Sequence, residues 1–137
     1  MNLLIDNINS VVEKRIQIPF DTNFRIGILF EILMQDKRYS DRAKTYKALE
    51  LYYPELDKIT DVKKAIDDIV WFYSCGKNEE TTSQRSKKGK NTQIYSYKFD
   101  NELIYSAFRD QYNIDLEEIE YLHWWKFKAM FNGLKAD

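Results

Sequence analysis

Apolar residues recur along this chain mostly at spacings of three and four, the period of an α-helix, with one short alternating stretch near Tyr95. The richest segment is the last. From Asp115 to Leu134, a step of about 100° per residue sets Leu116, Ile119, His123, Trp124, Phe127, Met130, Phe131 and Leu134 on one broad face. Asp115 can cap such a helix with Glu118 as its third residue, and Gly133 can end it in a left-handed turn. A second apolar cluster, Tyr121, Leu122 and Trp125, falls on the other side between Glu117, Glu118 and Lys128. A surface helix needs one apolar stripe, so this one is expected either to be sandwiched inside the fold or to dock a second body.

The earlier segments follow the same logic. Val11 to Ile18, with charged Glu13, Lys14 and Arg15 between apolar residues, reads as a short β-hairpin or extended arm. Pro19 blocks a helix from that side, and Asp21 or Thr22 can cap the next one. Residues 24–35, FRIGILFEILMQ, are apolar nearly all round apart from Arg25 and Glu31, which predicts a central bundle helix. Gly27 inside it costs about 1 kcal/mol against alanine, so it is expected to let another element approach closely. Ser40 can cap a helix carrying Ala43, Tyr46, Leu49 and Tyr53 and closed by Pro54. Thr60 can cap another, which buries Val62, Ala65, Ile66, Ile69, Val70 and Tyr73, turns Lys63, Lys64, Asp67 and Asp68 to water, and stops at Gly76 with Cys75 in its last turn.

Residues 77–93 contain no large apolar side chain and predict a mobile loop. Tyr95, Tyr97 and Phe99 then alternate with Ser96 and Lys98, as in a half-buried strand. Asp100 can cap a helix that buries Leu103, Ile104, Ala107, Phe108 and Tyr112, and Asn113 can turn the chain in the left-handed conformation. The expected fold is mainly α, with about five helices in a compact bundle and a short N-terminal β element, forming one domain over residues 1–137.

Composition narrows the function more than the fold. A chain of 137 residues with 15% aromatic side chains can bury a core without disulfide or metal. The formal net charge of -1 argues against a general nucleic-acid binder. No apolar stretch is long enough to span a bilayer and no secretory leader is visible, so a cytoplasmic location is expected and a membrane partner is not.

Candidate chemistry is sparse. His123 shares a face with Leu116 and Phe127, with Glu120 the nearest carboxylate, and reads as a core histidine rather than an acid or a ligand. Cys75 near a helix C-terminus is poorly placed for a thiolate. No HExxH, CxxC or phosphate-cradling glycine pattern occurs, so no catalytic, cofactor-binding or metal-ligating residue is assigned and no enzyme is expected. Arg85, Lys87, Lys88 and Lys90 could contact phosphates beside Tyr95 and Tyr97, but Glu79 and Glu80 dilute the run, and a solvated loop is the reading adopted. Of the adjacent tryptophans, Trp124 borders the main face and reads as core. Trp125, with Tyr121 and Leu122, is the better candidate for a partner surface, because aromatics dominate binding hot spots.

Several segments carry a resemblance: Asp21, Phe24 and Arg25; Trp71, Phe72, Tyr73, Cys75, Gly76 and Lys77; Tyr97, Phe99 and Asp100; Ile104, Tyr105, Ala107 and Phe108; Tyr112, Ile114, Asp115 and Leu116; and above all Leu122-His123-Trp124-Trp125-Lys126-Phe127. Together they resemble a family of small proteins of tailed phages and prophages of Gram-positive bacteria, encoded in the tail module ahead of the tape-measure gene. This chain departs from that pattern in lacking a glycine in the N-terminal hairpin and in placing Thr22 and Asn23 between Asp21 and Phe24. The resemblance brings no catalytic residues. It implies a tail assembly chaperone acting in the host bacterial cytoplasm, with the tape-measure protein and other tail proteins as partners and self-association left open. The alternatives are a tail completion protein retained in the virion and a nucleic-acid-binding regulator using the basic run.

Overall fold

A computed structural model describes residues 7–76 and 97–134, with side chains from residue 102 onward in the second stretch. Among these residues the chain forms six α-helices, α1 (Ile8–Arg15), α2 (Phe24–Gln35), α3 (Asp41–Tyr52), α4 (Val62–Tyr73), α5 (Tyr97–Tyr112) and α6 (Trp124–Asn132), with a 3-10 turn at Leu56–Lys58. The mainly helical expectation holds. The expected loop at 77–93, and with it Arg85, Lys87, Lys88 and Lys90, lies outside the described residues.

The N-terminal segment is helical where a hairpin or arm was expected. Asn7 starts α1 by accepting the amide protons of Asn9 and Ser10 at 3.0 and 3.2 Å. Ile8, Val12 and Ile16, spaced by four, are all buried, so the helical period outweighs the weak alternation around Val11. The chain becomes extended at Ile16, and Phe20 packs its ring 5.1 Å from each of Tyr52, Tyr53 and Phe72. Asp68 on α4, expected in water, is instead 3% exposed. It accepts from Arg15 at 2.7 Å and from Lys64 at 2.8 Å, which ties α1 to α4. A carboxylate can be buried this way because both its oxygens meet cations.

Helix α2 is the hub, packing against α3, α5 and α6. Asn23 caps it rather than Asp21 or Thr22, and Asp21 in turn accepts the Asn23 amide. Phe24, Gly27, Phe30, Glu31 and Leu33 are buried, while Leu29 stays 47% exposed. Ser40 caps α3 as expected by accepting from Ala43. Asp61, one residue after Thr60, caps α4. Val62 and Val70, both expected on the buried stripe of α4, are exposed, as is Tyr46 on α3. Helix α4 ends at Tyr73, and Cys75 lies beyond it at φ 63, with Gly76 at φ 76. The Gly76 amide reaches Trp71 O and the Cys75 amide reaches Phe72 O, both at 2.9 Å, the paired bonds that close a helix through a left-handed residue.

The stretch read as a strand before α5 is helical from Tyr97, while Tyr95 and Ser96 lie outside the described residues. Only Phe108 of the stripe expected on α5 is fully buried, and Leu103 is 74% exposed. Asn113 takes φ 58 and turns the chain.

Candidate functional site

The segment 113–134, expected as one long helix from Asp115, divides at His123. Asp115 does accept amide protons, from Glu117 at 3.0 Å and Glu118 at 3.3 Å, but it closes only a turn. The chain then bends at Glu120 and continues outside any helix to His123, which pairs as an isolated antiparallel bridge with Asn23. The Phe24 amide donates to Leu122 O at 2.7 Å and the Trp124 amide to Thr22 O at 2.9 Å. Helices α2 and α6 therefore start side by side, each from one arm of the bridge. Those backbone groups bond across to a distant segment, which removes them from any continuous helix. Gly133 ends α6 at φ -90 rather than in the left-handed turn expected.

Arg25 fastens this strap to α2. Its guanidinium donates to Leu116 O at 2.8 Å and Ile119 O at 2.7 Å, and it lies over the Phe24 ring. Asn23 donates to Glu120 O at 3.3 Å, and the Thr22 and Tyr121 hydroxyls share a bond of 2.5 Å. A charged donor bridging two carbonyls is worth about 1.5–3 kcal/mol. Arg25→Ala is accordingly expected to cost about 2 kcal/mol in urea unfolding and to speed amide hydrogen exchange across 115–123. Unchanged exchange there would show that the strap does not depend on the clamp.

The break at His123 changes the fate of both tryptophans. Trp124 is fully buried and Trp125 is 2% exposed. Trp124 stacks with Tyr73 and Phe127, and Trp125 stacks with Phe72 and meets Trp71 edge-on. Their indole N–H groups donate to the last two carbonyls of α4, Trp124 to Tyr73 O at 3.0 Å and Trp125 to Phe72 O at 2.7 Å. Helix-end carbonyls have no intrahelical partner, so the pair caps α4 from the side. The face of α2 that receives Trp124 is bare because residue 27 is glycine: a Cβ there would collide with the indole ring. The close approach anticipated at Gly27 is this contact.

Of the three residues assigned to a partner surface, the structure leaves only Tyr121 open, at 49% exposure; Leu122 is 9% exposed and, like Trp125, lies within the core. Sequence reasoning missed Arg25 as the clamp. Its signal was an arginine in the first turn of an otherwise apolar helix. Glu31 was a similar anomaly: it is 2% exposed and accepts from the Tyr73 hydroxyl at 2.7 Å.

His123 is the N-cap of α6, its Nδ1 accepting the Trp125 amide proton at 3.0 Å. Burial, and secondarily Lys126, pull its pKa down to about 4. Burial drives the Tyr52 and Tyr53 phenols upward. Among the described residues, no cluster of three or more His, Cys, Asp or Glu side chains could hold a metal ion, and no helix is long and apolar enough to cross a membrane.

Residues 4–137 match the protein family described as Bacteriophage Gp15 protein. The chain belongs to this bacteriophage family. Comparisons with curated proteins and with solved structures return no match. The match spans α1 to α6, so bridge, clamp and tryptophan pair all lie within the segment shared with the Gp15 family.

Proposed function

We propose that this Gp15-family protein is a non-enzymatic tail assembly factor that binds the tape-measure protein as a chaperone in the cytoplasm of a Gram-positive host. The observation that carries the reading is the family match over 4–137, taken with the resemblance of the Trp71–Lys77 and Leu122–Phe127 segments to tail-module proteins. The surface is compatible with an apolar client. Leu29, Tyr46, Val62, Val70, Leu103 and Tyr121 are each about half exposed or more. Each is a side chain that the apolar face of a client helix could contact. Tyr121 and Leu103 are side chains a client can touch.

Co-expression with the tape-measure protein of the same phage tests the reading. Wild type is expected to keep the client soluble and to co-purify with it. A Leu103→Asp/Tyr121→Ser variant, which also gives up the Thr22 hydroxyl bond, is expected to keep its far-ultraviolet helical signal and to retain at most about a tenth of the client, since a lost hot-spot side chain costs about 1.4 kcal/mol or more. An insoluble client with nothing bound counts against the chaperone reading. Recovery of the protein from purified virions instead would favour a tail completion component.

A further inference from the structure

The chain contains one histidine, and it occupies an unusual position for a helix cap. The His123 ring is 2% exposed, with Phe72 at 5.4 Å on one side and Trp125 at 5.3 Å on another. Nδ1 accepts the Trp125 amide proton, so the neutral ring carries its own proton on Nε2. That Nε2 is buried without a hydrogen-bond partner. An imidazolium cannot accept a proton at Nδ1. Charging this ring therefore removes the cap of α6 and leaves a buried cation with two N–H groups and no acceptor.

We propose that His123 is an acid-sensitive catch: a proton on Nδ1 uncaps α6 and releases Trp124 and Trp125 from the end of α4. Among the described residues, no carboxylate bears on the titration of the ring. On α6 the nearest charge is Lys126, of the same sign. On α4 Phe72 faces the ring, and Asp68, one turn earlier, is held by Arg15 and Lys64. At the start of α2, Asp21 accepts the Asn23 amide and Arg25 is committed to Leu116 O and Ile119 O. The strap contributes the Glu120 backbone carbonyl, which accepts from Asn23.

The sign follows from the lowered pKa. Above pH 6.5 the ring is neutral whether the catch is closed or open, so acid has no effect. Between pH 6.5 and about 4 the open form takes up a proton that the closed form refuses, and the equilibrium moves toward release. The release constant is expected to rise on the order of 100-fold across that window.

Near-ultraviolet circular dichroism, dominated by the packed tryptophans, would be followed from pH 7.5 to pH 4 beside the far-ultraviolet helical signal, for wild type and His123→Asn. Asparagine caps helices without titrating in this range. Loss of the near-ultraviolet signal below pH 6.5 in wild type alone, with helicity largely kept, is the expected result. The same profile in both proteins, or a single joint loss of both signals, would overturn the catch. Should His123→Asn fail to fold at pH 7, the single imidazole resonance of the wild type decides. Its titration is expected to coincide with the tryptophan change; an ordinary midpoint near 6.5 with the tryptophan signal unmoved overturns the proposal.

Discussion

Trp124→Ala is expected to lower the unfolding free energy by roughly 4–5 kcal/mol, the upper part of the range for large aromatic to alanine changes in a core. Three losses add at this position. The ring is fully buried between Tyr73 and Phe127, its N–H satisfies Tyr73 O at 3.0 Å, and its departure leaves the bare face at Gly27 uncovered. A domain of this size has on the order of 5–15 kcal/mol to lose. The variant should therefore unfold at a far lower urea concentration with an unchanged slope. Trp124→Phe separates the contributions, because it keeps most of the ring and removes the donor; a loss of roughly 1–3 kcal/mol is expected. A Trp124→Ala loss under about 1.5 kcal/mol would contradict the packing described, since it is too small for emptying a filled core position.

Gly27→Ala gives the second large effect and tests its sign. On helix propensity alone, alanine in the middle of α2 stabilises by about 1 kcal/mol. The new Cβ, however, would fall within collision distance of Cε3, Cδ2 and Cζ3 of Trp124. Those atoms belong to a rigid ring fixed by stacking and by its own hydrogen bond, so they cannot move aside without loss. Overpacking of this kind costs about 1–3 kcal/mol and sometimes more, so net destabilisation of about 2 kcal/mol is expected. In the Trp124→Ala background the collision is gone, and the same change should become stabilising. A double-mutant cycle by urea unfolding reads that reversal as the coupling between the two positions. A stabilising Gly27→Ala in the wild-type background would show that the indole does not occupy the glycine face.

Both results bear on function through the same pair. The aromatic block Leu122–Phe127 invites interpretation as a binding surface because neighbouring tryptophans on one helix point about 100° apart. That inference assumes that the helix already exists where the tryptophans stand. In the structure it begins at Trp124, and both rings can turn inward against the end of α4. The open apolar side chains lie elsewhere, chiefly on Leu29, Tyr46, Val62, Val70, Leu103 and Tyr121.

Local signals account for what the chain announced by itself. The period of apolar residues, Ser40 as a cap, Pro54 as a stop and Asn113 as a left-handed turn place α3, the body of α2 and α4, and the end of α5, because each signal acts within a turn or two of its own residue. A glycine inside the apolar run of α2 likewise announced a close contact, though not which side chain made it. Tertiary structure alone decided the rest. The start of α6 depends on the bridge between Asn23 and His123, the burial of Asp68 on Arg15 reaching over from α1, and the inward turn of Trp125 on the carbonyl of Phe72 at the end of α4. Each of those groups finds its partner in a segment far away along the chain. Period and capping carry no record of such pairings, since the energy that selects them exists only once the helices have met.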